Sequence, residues 1–297
     1  MYPVKNVRVD AKTVYTNILI ASAMRAYGIP QWGFTMESHV NNIAHKLNMD
    51  PLEFRNLNRV SKDNPFDVAN MSFYTCGLDE IIEKGKEMIG WDTFKKEVSG
   101  NGKIRTGIGV ALCSYGQSCY PHSVELSAAR VSMNEDGSVT LFIGCAEIGQ
   151  GTDTVMAQIA AETLGIPFEW VHVVAGDTDL CPWDAGAYAS RQTYVTGMAV
   201  KNAALKCKED VLKYAEQYFG MQKDNLDIRR GYIINKQTED IVCEIGEVMH
   251  KVIYSFPHSD FISHTGYHTP TENVNTFGAS FAKVTVDTGT GQVMLIS

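Results

Sequence analysis

No uncharged apolar run in the 297 residues reaches the roughly eighteen that a membrane-spanning helix needs. Nor is there a Cys-x-x-Cys pair. The seven cysteines, Cys76, Cys113, Cys119, Cys145, Cys181, Cys207 and Cys243, stand singly and far apart, which argues against a disulfide framework and against a zinc or iron–sulfur site, and leaves reduced thiols. The eight histidines show no HExxH or comparable metal spacing; His250, His258, His264 and His268 crowd the last third, where solvated loop positions are expected. Positive charge is also short, 26 Lys and Arg against 34 Asp and Glu for a net −8, with no basic cluster, so a general nucleic-acid binder is disfavoured. The first residues, Met1 to Lys5, lack the basic end and apolar stretch of a secretory leader, and the expected location is cytoplasmic.

What is present is the composition of a globular protein, 44% hydrophobic and 20% charged, long enough for one large domain or two ordinary ones. Apolar spacing predicts a strand over Val7 to Tyr15 and a helix over Phe34 to Leu47, with Phe34, Val40, Ile43, Ala44 and Leu47 as core candidates. Asp50-Pro51 starts a short helix to Leu57, Leu78 to Met88 is another, and Lys95 to Lys103 is an expected loop. Gly107 to Cys113, Ser123 to Ser132 and Ser138 to Gly144 are expected strands, the last two joined by an Asp136-Gly137 hairpin turn. A helix then runs to a Gly165-Ile166-Pro167 stop, Trp170 to Val174 returns as a strand, and a long helix covers Thr193 to Phe219. Its face of Val200, Ala204, Cys207, Val211 and Ala215 makes Cys207 a core residue. A hairpin over Gly231 to Ile234 and Asp240 to Cys243, then strands Ser280 to Val286 and Gln292 to Ile296, complete the chain. Without a regular βαβ period the expected class is α+β.

The stretch Glu147-Ile148-Gly149-Gln150-Gly151-Thr152 joins an apolar strand to an amphipathic helix through two glycines. Glycine lets backbone N–H groups approach a ligand, and a helix start adds partial positive charge, so the loop suits an anionic or polar cofactor. It equally suits a tight turn. It lacks the third glycine of a Rossmann fingerprint and the lysine of a P-loop. Asp177 and Asp179, in Gly176-Asp177-Thr178-Asp179, are expected to serve turn chemistry and not catalysis.

Three separated segments together resemble the molybdenum-binding subunit of the xanthine dehydrogenase and aldehyde oxidase family: Ala23-Met24-Arg25-Ala26-Tyr27-Gly28, the Gly149-Gln150-Gly151 loop with its helix through Glu162, and Gly176 to Asp179 leading to Ala189-Ser190-Arg191-Gln192-Thr193. The likeness extends over most of the chain, including Asp50 to Asn56 and the Asp136-Gly137 hairpin. It implies an α+β molybdenum cofactor-binding fold in two subdomains, residues 1–100 carrying the arginine loop and residues 101–297 the pterin loop and the start of a following part. By the same resemblance Arg25 stands beside the metal as an electrostatic catalyst and Tyr27 stacks on a flat substrate, with Tyr120 a further substrate contact. Gly149, Gln150, Gly151, Ala189, Ser190 and Gln192 contact the cofactor, the Ala189 backbone close to the metal. Gln192 stands where some relatives have serine, and Ser190 has a second reading as a cap of the long helix.

The resemblance implies hydroxylation of an N-heteroaromatic ring, of purine or nicotinate type, or of an aldehyde, with oxygen from water. The cofactor would be molybdopterin with molybdenum, in its cytosine dinucleotide form in many bacteria, and 2Fe-2S clusters and FAD would sit on partner chains. The family's glutamate base, in a Gly-x-x-Glu-Pro segment, and its Gly-Gly-Phe-Gly-Gly segment are not found; Gly246-Glu247-Val248 lacks the proline. The expectation is therefore an internal fragment or one polypeptide of a split subunit, inactive alone, whose partners are the remaining molybdenum-subunit segments, an iron–sulfur subunit and a FAD subunit. Two competing readings are a non-catalytic structural or assembly module of the same fold and a nucleotide-binding domain using the glycine loop.

Overall fold

The computed structural model describes residues 1–4, 6–19, 24–61, 76–94, 98–99, 102–255, 257, 259–272 and 274–297. Ala23 of the arginine loop, much of the expected 95–103 loop, and His258 lie outside them. Six α-helices occur among the described residues: α1 Ile29–Lys46, α2 Pro51–Asn58, α3 Leu78–Ile89, α4 Thr152–Leu164, α5 Gly197–Phe219 and α6 Ile245–Tyr254. The strands are β1 Val98–Ser99, β2 Ile104–Gly116, β3 Ser127–Met133, β4 Val139–Ile143, β5 Val171–Ala175, β6 Leu226–Arg229, β7 Tyr232–Asn235, β8 Ile241–Glu244, β9 Ser263–His268, β10 Asn275–Asp287 and β11 Val293–Leu295. Helices and strands are mixed in two units, residues 1–116 with 274–297, and residues 117–273.

In the first unit β2 and β10 pair antiparallel over their full lengths, from Gly116 opposite Asn275 to Ile104 opposite Asp287, with β1 and β11 at the edges. α3 packs closely on this sheet, since a Cβ at Gly85 would fall 2.3 Å from the Phe281 ring. Leu52, Leu78, Ile82, Val110 and Leu112 form the buried cluster. α2 begins at Asp50, whose Oδ1 accepts the amides of Leu52 and Glu53 at 2.8 and 3.0 Å, an N-cap in front of Pro51. Val40 and Ala44 of α1 are buried and Ile43 is half-buried, as the spacing predicts, but Phe34 and Leu47 are exposed. The expected strand over Val7 to Tyr15 does not form: residues 6–15 are exposed and have no ladder, so apolar alternation there has no sheet to join.

In the second unit the sheet order is β5-β4-β3-β9, antiparallel except for the parallel pair β4 and β5, which α4 joins as a crossover. α4 and α5 cover this sheet, and the core face of α5 is the predicted one, with Val200, Ala204, Cys207, Val211 and Ala215 all buried. α5 approaches β9 so closely that a Cβ at Gly266 would lie 2.2 Å from the Ala199 carbonyl oxygen. A smaller antiparallel sheet, β6-β7-β8, leads into α6. Sequence reasoning misses α6, β6 and β9, and β1 lies within the expected 95–103 loop. β9 reads Ser-His-Thr-Gly-Tyr-His, polar enough to hide its period, so His264 and His268 sit in a strand and His250 in α6, not in loops. Gly246-Glu247-Val248 is helical, within α6, where a Cβ at Gly246 would lie 2.8 Å from the Asp136 carbonyl oxygen.

Candidate functional site

At the carboxyl end of β4 the chain turns into α4 through Gly149 and Gly151, with φ of 89° and 82°. A side chain there would be strained although nothing lies within 4 Å of either Cβ position. The loop amides converge on one acceptor: those of Gly149 and Gly151 donate to Glu147 Oε1 at 2.7 and 3.0 Å. Backbone donors, that of Gly151 foremost, hold the Glu147 carboxyl below its usual range although it is fully exposed. This nest of N–H groups at a helix start therefore already binds a carboxylate.

Two amide side chains meet beside it. Gln150 Nε2 donates to Gln192 Oε1 and to Thr152 Oγ1, and at 3.1 Å to the Ala146 carbonyl. Thr152 Oγ1 donates to Gln192 Oε1 at 2.5 Å, Gln192 Nε2 also reaches the Ala146 carbonyl at 3.1 Å, and Gln150 Oε1 accepts the Ile148 amide at 2.6 Å. Gln192 and Thr152 are buried and Gln150 is half-buried. Gln150 and Gln192 are forty-two positions apart, and the structure brings them into direct contact. Thr152 is the member that sequence reasoning missed; its place as the first residue of α4, just past the glycines, is the signal.

Gln192 opens a π-helical turn, Gln192–Thr196, ahead of α5. The turn is entered through Ala189 and Ser190, both left-handed, with φ of 45° and 50°. Ser190 is exposed and caps neither the turn nor α5 through its side chain, which disposes of the capping reading. A left-handed conformation at a non-glycine residue costs about 1 kcal/mol or more and persists only where surroundings enforce it. Tyr120, half-buried, lies in the segment Ser118 to Pro121 of the same unit.

Arg25 and Tyr27 belong to the other unit, where residues 25–28 form a turn with Ala26, Tyr27 and Gly28 left-handed at 84°, 53° and 80°. Both side chains are exposed. The turn is continuous with α1, which is anchored by a buried ion pair: Glu37 Oε2 accepts Arg55 Nε at 2.8 Å and the Leu112 amide at 2.9 Å, while Oε1 accepts the Tyr2 hydroxyl. Of the non-glycine left-handed residues among the described ones, Ala26, Tyr27, Ala189 and Ser190 fall in predicted site segments; the others are Asn48, Arg230 and Glu239.

The remaining candidates are structural. Asp177 Oδ1 accepts the amides of Asp179 and Leu180 at 2.9 and 3.1 Å, which is turn chemistry as expected. Burial pushes the Cys145 and Cys207 thiols up to about 12, leaving them protonated and unreactive. Among the described residues no group of three His, Cys, Asp or Glu could hold a metal ion, and no helix is long and apolar enough to cross a membrane. The donor set is thus amide, hydroxyl and backbone N–H, which fits a polar organic cofactor carrying anionic groups and does not by itself coordinate a metal.

Two family profiles, each described as a molybdopterin cofactor-binding domain, match residues 84–297 and 1–59. A putative xanthine dehydrogenase molybdenum-binding subunit of Escherichia coli K12 is 36% identical over 290 residues, covering 97% of this chain and 39% of that protein. Among solved structures, quinoline 2-oxidoreductase from Pseudomonas putida 86 superposes with a TM-score of 0.75 at 23% identity, over 89% of this chain and 36% of the other. Reconstituted CO dehydrogenase from Oligotropha carboxidovorans gives a TM-score of 0.75 at 22% identity, over 91% and 36%. These two share the fold with this chain. The chain spans about two fifths of the length of the curated relative it matches at 36%.

Proposed function

The chain belongs to the molybdopterin cofactor-binding domain family of xanthine dehydrogenase-type molybdenum-binding subunits, and we propose that it is the part of a molybdenum hydroxylase that holds the pterin. The observation that carries this reading is the meeting of Gln150, Thr152 and Gln192 beside an amide nest that already takes a carboxylate. A carboxamide offers both donor and acceptor to a pterin edge, and the nest suits a phosphate oxygen in place of Glu147. In this reading Gly149, Gln150, Gly151, Ser190 and Gln192 bind the cofactor, and the Ala189 backbone lies near the metal. Residues 101–297 supply the pterin side, and residues 1–100 supply Arg25 and Tyr27.

When bound, the cofactor supplies the two-electron redox chemistry and the metal's sulfur ligands. The chain's own share is positioning and charge. The Arg25 guanidinium supports negative charge developing on the substrate; Tyr27 and Tyr120, each in its own unit, offer ring faces suited to a planar substrate. The substrate class is an N-heteroaromatic compound of purine or nicotinate type, or an aldehyde. The remaining molybdenum-subunit segments, a 2Fe-2S subunit and a FAD subunit complete the enzyme, and the chain alone is inactive.

Denaturing release of whatever copurifies with the assembled protein, followed by identification of the released compound, tests this. A pterin, with or without a cytosine nucleotide, is the expected result. An ordinary nucleotide, or nothing from an assembly competent to load cofactor, contradicts it and leaves a nucleotide-binding or purely structural module.

A further inference from the structure

The second unit contains a buried charge cluster that the reading above does not use. Arg191, with no exposed side-chain surface, faces two carboxylates that are equally buried. Its guanidinium has five N–H groups, and five acceptors surround it. Nε meets Glu125 Oε2 at 2.5 Å; Nη1 meets Asp184 Oδ1 at 3.0 Å and the Gly186 carbonyl at 3.1 Å; Nη2 meets the Leu126 carbonyl at 3.0 Å and Ser127 Oγ at 2.8 Å. Asp184 Oδ2 in turn accepts the hydroxyls of Ser127 and Thr196 at 2.5 and 3.0 Å. Desolvating three charges is strongly unfavourable, and apolar packing would stabilise a core at least as well. What such a cluster provides that apolar packing does not is a fixed backbone.

Glu125 is the member with reach in two directions. One oxygen takes Arg191, and the other, Oε1, accepts the Cys119 amide at 2.6 Å. Cys119 immediately precedes Tyr120, and Arg191 stands between the left-handed pair Ala189-Ser190 and Gln192. We infer that Arg191 and Glu125 are positioning residues that fix the Ser118–Tyr120 segment and the Ala189–Gln192 turn as one rigid piece. The backbone offered to the cofactor and the ring offered to the substrate then keep a constant relation. This consequence rests on the function proposed above; the coupling itself does not.

The coupling is read by amide hydrogen exchange on the full chain without cofactor. In Glu125→Gln the carboxamide can accept on one side only, so the variant cannot serve both Arg191 and the Cys119 amide. Losing a hydrogen bond to a charged group should raise exchange about tenfold or more in both segments, 117–120 and 189–192, while β4 and α5 keep wild-type rates. Asp184→Asn is the contrasting variant: with Glu125 still joining Arg191 to the Cys119 amide, it should loosen 184–186 and leave both segments, 117–120 and 189–192, protected. Acceleration in one segment only, or a Cys119 amide released as much by D184N as by E125Q, overturns the inference. Should E125Q not fold, denaturant dependence of exchange in the wild-type chain decides instead. The two segments should open with one common dependence, and separate openings contradict the coupling. In the assembled enzyme E125Q should raise KM severalfold where D184N does not, and an unchanged KM in E125Q counts against the positioning role. A wild-type assembly that yields no pterin contradicts the proposed function and leaves the coupling to the exchange data.

Discussion

Arg25, Gln150 and His268 make separable predictions. Arg25 is exposed on a left-handed turn and takes part in no core, so Arg25→Ala should leave folding and molybdenum content unchanged. If its charge supports the reaction, turnover of the assembled enzyme should fall about a hundredfold; wild-type turnover would remove it from the site. Gln150 is tied to Gln192, Thr152 and Ala146, and Gln150→Ala should weaken cofactor retention about tenfold. Pterin retained at the wild-type level after dialysis would contradict that role. His268 is a stability prediction. Its Nε2 is buried without a partner among the described residues, and burial holds its pKa below the usual 6.5. The unfolded chain therefore takes up the proton first as pH falls, so this contribution to stability is full above about pH 6.5 and is lost as pH falls toward the folded value. His268→Phe keeps a ring against Tyr194 and removes the titration. Between about pH 7.5 and pH 5.5 the melting temperature should fall further in the wild type than in the variant, and parallel curves would refute the assignment.

At the level of elements, the two ends of α4 differ: one is fixed by packing, and the other, in the proposed function, faces the cofactor. Gly165, its C-cap, has φ of 83° and no room, since a Cβ would fall 1.9 Å from the Ile228 carbonyl oxygen. Gly151, its N-cap, has φ of 82° and open space. Gly165→Ala should cost well over 2 kcal/mol by chemical denaturation, strain plus a backbone clash, against about 1–2 kcal/mol for Gly151→Ala. Equal costs would mean that the Gly165 contact is relieved cheaply. Gly151→Ala should nonetheless be the more damaging for cofactor retention. Most elements were legible in the sequence because their apolar residues repeat at one period: the β3–β4 hairpin with Asp136-Gly137, α4 with its Gly-Pro stop, and the buried face of α5. β9, α6 and β6 were not: β9 because its strand is polar, α6 because it follows β8 without a break, and β6 because four residues are too few to show a period. β3 starts at Ser127 and not at Ser123, because Glu125 is drawn into the Arg191 cluster ahead of it.

Over the whole chain, the glycine loop and the Ala189-Ser190 segment were visible as motifs, but the contact that joins them was not. Gln150 and Gln192 meet only because β4, α4 and α5 share a core, and no local pattern announces a contact across forty-two positions. The Arg191 cluster was hidden for the same reason: Glu125 and Asp184 are unremarkable acids in the sequence and become buried partners of one guanidinium on folding. The chain spans about two fifths of the length of its E. coli relative, and in the function proposed above activity belongs to the assembly it enters. The isolated chain should show no turnover of purines, nicotinate or aldehydes, and should gain it only with the remaining subunit segments and electron-transfer partners; turnover by the chain alone would contradict the fragment reading. The most direct test of the central claim is molybdenum per chain, by elemental mass spectrometry, on this polypeptide purified with whatever copurifies from its source. About one molybdenum per chain is predicted, as for one resident metal cofactor per site. No molybdenum in an intact, cofactor-competent assembly would contradict the account and leave a relative that keeps the fold without the chemistry.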